Sequence, residues 1–247
     1  AQFLKHIAAN KGNRKFLFKI IGRNEQVIDK FPFDIGDIVG DEENISWIAV
    51  IHADGNNLGQ IIMNMTRGIS QKDSLNTIKN FSKILNETTE KAAKNAFEKI
   101  ITAEMISASK NEKIPFRPVV LGGDDLTAII RADLALDFTE AFLDEFERLS
   151  KANFSTFNKD NKLSNNTFTN GMTACAGIAY IKANYPFHYG VTLAEALCKE
   201  AKRISKNISE ELIPSSIMFH KVHAGFVEEY EDIIDAELTA KDGVYFN

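Results

Sequence analysis

The chain has 247 residues, 44% of them hydrophobic and 26% charged, close to the average for soluble globular domains. That composition excludes the disordered and low-complexity classes. A net charge of −5 and a pI of about 5.6 count against a free-standing nucleic-acid binder, which carries a basic surface. They leave room for an enzyme that handles nucleotides through a few local charges and a metal. Cys175 and Cys198 are the two cysteines; they make neither a disulfide framework nor a zinc set, so a reduced, cytoplasmic setting is expected. The longest apolar stretches, Trp47 to Ile51 and Ala174 to Ile181, are too short to span a bilayer. The first ten residues lack the layout of a signal peptide. The chain has no initiator Met and stops on a strand-like Val244-Tyr245-Phe246-Asn247, which reads as a piece of a longer protein.

In chain order, Lys15 to Ile21 is a short strand-like run. Residues 22–44 are polar and glycine-containing and read as a connection. Ile45 to Ala53 is β-branched and nearly continuous, as a buried central strand should be. It ends in Asp54-Gly55-Asn56-Asn57, which is turn chemistry. Leu75, Ile78, Leu85, Ala92, Ala96 and Ile100 then mark a long amphipathic helix with Ser74 as its N-cap. Arg117 to Leu121 is a second strand, Gly122-Gly123-Asp124-Asp125 a tight turn, and Leu126 to Ile130 the return strand of a hairpin. Leu134, Phe138, Ala141, Phe142, Phe146 and Leu149 mark a second helix. Residues 151–167, rich in Asn, Lys and Ser, look like a surface loop. Met172 to Ile181 is a fourth strand, Leu193 to Ile208 a third helix, Ser215 to Phe219 a last strand, and Phe226 to Leu238 an acidic helix.

The order strand, helix, strand, turn, strand, helix, strand predicts an α+β, ferredoxin-like (split βαβ) fold: an antiparallel sheet with helices on one face. A right-handed crossover makes the first two core strands parallel, so their C-terminal ends share one edge of the sheet. Asp54 ends the first strand and the 122–125 turn ends the second. Asp54, Asp124 and Asp125 should therefore meet, although 70 positions separate the first two. Three such carboxylates repel one another unless a cation sits between them. Hard oxygen ligands select Mg²⁺ or Mn²⁺. Two such ions about 3.5–4 Å apart are the usual device for in-line attack at phosphorus. The pair Gly122 and Gly123 would let the backbone turn sharply and approach a phosphate. Aspartate and glycine are also common turn formers; what sets these apart is that both signals lie at the ends of strands that the topology brings together.

The blocks His52 to Gly59 (His-Ala-Asp-Gly-Asn-Asn-Leu-Gly) and Arg117 to Leu126 (Arg-Pro-Val-Val-Leu-Gly-Gly-Asp-Asp-Leu) resemble the catalytic palm of the large polymerase-cyclase subunit of type III CRISPR effector complexes. That palm is related to GGDEF diguanylate cyclases and class III adenylyl cyclases. Thr173 to Ala179 resembles the family's fourth strand. Ala194 to Lys202 resembles the helix whose Ala-Lys pair, here Ala201 and Lys202, delivers a lysine to the triphosphate. The resemblance covers residues 45–220, with 1–44 as an N-terminal extension or the end of a preceding domain and 221–247 as a C-terminal helical extension.

The resemblance implies synthesis of cyclic oligoadenylates from ATP in antiviral defence. The 3′-hydroxyl of one ATP attacks the α-phosphate of another, and pyrophosphate leaves. By position, Asp54, the Gly55 carbonyl, Asp124 and Asp125 would hold two Mg²⁺ or Mn²⁺ ions, with the three aspartates as the catalytic set. Lys202 and Lys199 would bind the triphosphate; alternatively they belong to a solvated face shared with Arg203 and Lys206. Asn56, Asn57, Gly59, Gly122 and Gly123 would line the nucleotide site. Asn56 stands where many relatives carry an acid. Asp125-Leu126 replaces the Glu-Phe of diguanylate cyclases, which favours the CRISPR-type branch and ATP. The implied partners are a second palm, in a homodimer or an adjacent domain, and effector subunits that hold the guide and target RNA. His220 and His223 read as surface residues, and alternation is taken to turn His52 away from Asp54. A palm that binds nucleotide or assembles without turnover is the alternative reading. A template-dependent polymerase would need a basic duplex channel that this acidic chain lacks.

Overall fold

The computed structural model describes residues 30–32, 34–39, 46–102, 113–161, 171–209 and 213–222, with the backbone alone at 158–161. The strand expected at Lys15 to Ile21, the helix expected at Phe226 to Leu238 and His223 lie outside these residues. Among the described residues, no helix is long and apolar enough to cross a membrane.

Five strands form one sheet: β1 (Trp47–Gly55), β2 (Phe116–Gly122), β3 (Asp125–Arg131), β4 (Ala174–Lys182) and β5 (Ser216–Lys221), in the order β2-β3-β1-β4-β5. β1 lies antiparallel to both β3 and β4, and β2 antiparallel to β3. β1 and β2 therefore run parallel with β3 between them, the arrangement predicted from the element order. β5 pairs with β4 in parallel, so the complete sheet is mixed.

Four helices connect the strands: α1 (Leu58–Thr66), α2 (Gln71–Ile100), α3 (Ala135–Asn161) and α4 (Phe187–Ile208). α2 and α3 cover one face of the sheet. Their phenylalanines Phe81, Phe97, Phe138, Phe142, Phe146 and Phe154 are buried together with Ala49, Ile51 and Ala53 of β1. α4 covers the other face, over Ile48 and Val50 of β1 and Ala179 and Ile181 of β4. The helical layer expected on one face thus belongs to α2 and α3, and α4 adds a layer on the opposite side.

Three local readings change. The N-cap of α2 is Ser70, whose hydroxyl accepts from the Asp73 N–H, rather than Ser74. Ser70 has the extended backbone that a cap requires. Residues 151–161 are helical instead of loop. Phe154 and Phe157 continue the apolar stripe of α3 at a three-residue step and pack on Phe81 with ring centroids 5.2 and 6.2 Å away. The segment after Asn57 forms α1, half-buried against the α2 side of the core through Leu58, Ile61 and Ile62.

Candidate active site

The site lies at the edge of the sheet where β1 ends and β3 begins. β1 is the central strand, flanked by β3 and β4, so its last residues are held on both sides: Ala53 pairs with Leu126, and Asp54 with Cys175. The β2–β3 hairpin closes through a pair between Gly122 and Asp125, leaving Gly123 and Asp124 as its two-residue turn. Gly123 takes φ +65°, the left-handed region that such a turn requires at its first position and that glycine adopts without strain.

These constraints bring Asp54, Asp124 and Asp125 together, with one carboxylate oxygen from each within 4.8 Å of the others. Gly55 allows the approach. A β-carbon there would lie 2.9 Å from Cβ and 3.0 Å from Oδ2 of Asp124, closer than side chains tolerate. Lys202 reaches in from α4. Its ammonium donates to Asp54 Oδ2 and, at 2.7 Å, to the carbonyl oxygen of Gly55.

The electrostatics are those of crowded acids. Burial, reinforced by the charge of Asp54, raises the Asp124 carboxyl from 3.8 to about 6. Asp125 is also raised, first by burial and then by Asp54, while His52 and Lys202 pull the other way. His52 corrects one expectation. It precedes Asp54 by two positions, and residues two apart on a strand share a face. His52 Nδ1 is hydrogen-bonded to Thr127 Oγ1 at 3.0 Å and its field reaches Asp125, so it stands on the same side as the acids.

The remaining expected residues divide into two groups. Asn57 is exposed, has φ 57° and caps α1 without a side-chain bond; Gly59, exposed in the first turn of α1, faces open space. Lys199 is exposed one turn before Lys202 on α4. Asn56 is buried, its amide donating to Thr173 Oγ1 at 2.9 Å and its backbone N–H to the Thr173 carbonyl. Both backbone groups of Gly123 are engaged by α2: Asn86 Oδ1 accepts from its N–H at 3.1 Å, and Thr89 Oγ1 donates to its carbonyl at 2.7 Å. Sequence reading did not single out Asn86 or Thr89. They are ordinary polar residues on a helix, and only the tertiary fold brings them to the turn.

α4 delivers Lys202 because it lies unusually close to β4. A β-carbon on Gly177 would come within 2.0 Å of the Ala194 carbonyl oxygen and 2.5 Å of the Cys198 nitrogen. Burial pushes the Cys198 thiol up to about 12, and it donates to the Cys175 carbonyl at 3.2 Å, fastening the helix further.

The donor set fits a hard divalent cation: three carboxylates within reach of one point, a backbone carbonyl beside them, and one acid held above its ordinary range by burial and by its acidic neighbours. Asp54, Asp124, Asp125 and the Gly55 carbonyl are the groups that would hold it.

The family model described as Cas10/Cmr2, second palm domain, matches residues 47–209. No curated protein sequence matches the chain. Similar solved structures include the Csm1-Csm4 cassette in complex with cA3, at 16% identity and TM-score 0.42 over 64% of this chain and 19% of that one. The same cassette in complex with AMPPNP is 16% identical, with TM-score 0.43 over 71% and 24% of the two chains. The apo cassette is 15% identical, with TM-score 0.42 over 70% and 23%. The chain thus spans about a fifth to a quarter of the length of these solved chains. The match over residues 47–209, on a sheet with the expected strand order, shows that the chain belongs to the Cas10/Cmr2 second palm family, the palm of the large subunit of type III CRISPR effector complexes.

Proposed function

We propose that this palm is a metal-dependent nucleotidyltransferase that joins ATP molecules into cyclic oligoadenylates for CRISPR-type defence. The observation that carries the reading is the convergence of Asp54, Asp124 and Asp125 within 4.8 Å beside Lys202. Asp54, Asp124, Asp125 and the Gly55 carbonyl would hold two Mg²⁺ or Mn²⁺ ions, which when bound supply charge neutralisation at the reacting phosphate and a more acidic attacking hydroxyl. In the reaction, the 3′-hydroxyl of one nucleotide gives up its proton to solvent and its oxygen bonds to the α-phosphorus of another. The bond from that phosphorus to the bridging oxygen breaks, and pyrophosphate leaves.

The chain's own residues have distinct parts in this. The carboxylates would hold the cation at the sheet edge and so fix where the α-phosphate can sit. The flexible stem of Lys202 lets its ammonium turn from Asp54 to the triphosphate, with exposed Lys199 adding a second positive charge one turn away. Asn57 and Gly59 leave the start of α1 open beside the acids for the nucleotide. A second palm would present the acceptor nucleotide, and other effector subunits would hold the guide and target RNA.

The test is incubation of the purified chain with ATP and Mn²⁺ or Mg²⁺, with products resolved by mass spectrometry and GTP as control. Cyclic adenylates are the expected product. The double variant Asp124→Asn, Asp125→Asn should abolish them while leaving the fold intact. Retained turnover in that variant would sink the metal assignment. Absence of product together with metal-dependent binding of a non-hydrolysable ATP analogue would point instead to a nucleotide-binding assembly module.

A further inference from the structure

The Gly122-Gly123 pair is tied to helix α2 by two side chains of complementary chemistry. Asn86 Oδ1 accepts from the N–H of Gly123 at 3.1 Å, while the Asn86 Nδ2 group donates to the Glu90 carboxylate. A carboxylate only accepts and an N–H only donates, so the two partners together fix which way the Asn86 amide points. One helical turn on, Thr89 donates to the Gly123 carbonyl at 2.7 Å. The Thr89 hydroxyl also reaches Leu85 O of its own helix at 3.1 Å, so the bond to the turn is the shorter of the two. Thr89 is fully buried, where losing a partner is costly. Gly122 belongs to the same contact, since a β-carbon there would lie 3.2 Å from Asn86 Oδ1.

We infer that Asn86 and Thr89 are positioning residues: they hold the two peptide groups that flank Gly123 and thereby set where Asp124, the next residue, presents its carboxylate. The inference rests on the proposed metal site. It gives the glycine pair a different part from cradling phosphate, because the Gly123 N–H and carbonyl are both already spoken for by α2. A two-residue turn with a glycine at positive φ is otherwise free to rock about the hairpin axis, and Asp124 would move with it. Groups that orient a metal ligand without touching the metal typically change its affinity 10- to 100-fold when removed.

The experiment measures Mn²⁺ binding alone, by electron paramagnetic resonance of the free ion, in the wild-type chain and in Asn86→Ala, Thr89→Val, Thr89→Ser and Asp124→Asn. Thr89→Val keeps the shape of the side chain and removes only its hydrogen bonds; Thr89→Ser keeps the hydroxyl. Asn86→Ala and Thr89→Val should each weaken Mn²⁺ binding per folded molecule by about tenfold, and Thr89→Ser should retain most of the affinity. Wild-type Mn²⁺ affinity in both Asn86→Ala and Thr89→Val, with binding lost in Asp124→Asn, would overturn the positioning role and leave the metal site standing. No Mn²⁺ binding by the wild-type chain would overturn the metal site itself, and this inference with it.

Discussion

The two faces of the sheet are built from different materials. Beneath α2 and α3 the core is made of bulk. Phe116 sits 5.5 Å from Phe97 and 4.9 Å from Phe138, and Phe81 sits 5.2 Å from Phe154. Beneath α4 aliphatic residues such as Ile48, Val50, Ile181, Leu193 and Leu197 pack without aromatic bulk, and the closest approach is made by small residues: Gly177 against Ala194 and Cys198, and Cys175 against Cys198 and Ala201. Large buried rings remove much apolar surface from water and supply most of the stabilisation. Small residues supply less, but they let a helix approach until its backbone touches the strand. The first face therefore holds the fold, and the second sets a distance, namely how far Lys202 extends over the end of β1.

Substitutions on the two faces should separate these roles. The largest loss of stability is expected for Phe142→Ala, a fully buried ring on α3. It should cost about 3–5 kcal/mol in chemical denaturation, with nucleotide affinity per folded molecule unchanged. Gly177→Ala should cost at least about 1–3 kcal/mol, because the added methyl would meet α4 backbone atoms at 2.0 and 2.5 Å and α4 must move outward to clear it. That shift withdraws Lys202, so binding of an ATP analogue measured by calorimetry should fall more than stability does. Equal losses of binding in the two variants would erase the distinction drawn between the faces.

The acids give a smaller and opposite effect. The Asp124 carboxyl titrates at about 6 in the fold against an ordinary 3.8. Between those values the folded chain binds the extra proton, so metal-free stability should rise as pH falls from about 7 towards 4. Asp124→Asn should reduce that slope, with Asp125 still contributing, and raise the melting temperature near pH 7.5 in the presence of a chelator. The same pH dependence of the metal-free melting temperature in wild type and Asp124→Asn would show that Asp124 is not held above its ordinary range. Adding Mn²⁺ should stabilise the wild-type chain and leave Asp124→Asn nearly unmoved.

Much of the site was legible because its signals are local and strong. An apolar β-branched run closing in Asp54-Gly55, and a hairpin turn of two glycines and two aspartates, need no tertiary information, and the strand order brings them together. His52 was misplaced by a parity slip, since the same alternation that turns Ala53 into the core keeps His52 and Asp54 on one side. The end of α3 was missed because Asn, Lys and Ser at 151–161 outweighed the spacing of Phe154 and Phe157. Asn86 and Thr89 carry no local signal: on a polar-to-apolar helix border they look like any other residues, and their meaning depends on a turn 34 to 37 positions away.

The position of β1 at the centre of the sheet also divides the site in time. Asp54 lies on a strand paired on both sides and covered by helices on both faces, and such strands exchange their amide hydrogens only when the whole domain opens. Asp124 sits in a two-residue turn of a hairpin whose outer strand, β2, is at the margin of the sheet, where partial opening is far more frequent. One half of the site is thus fixed by the sheet itself, and the other half depends on how well Asn86 and Thr89 of α2 hold the hairpin turn.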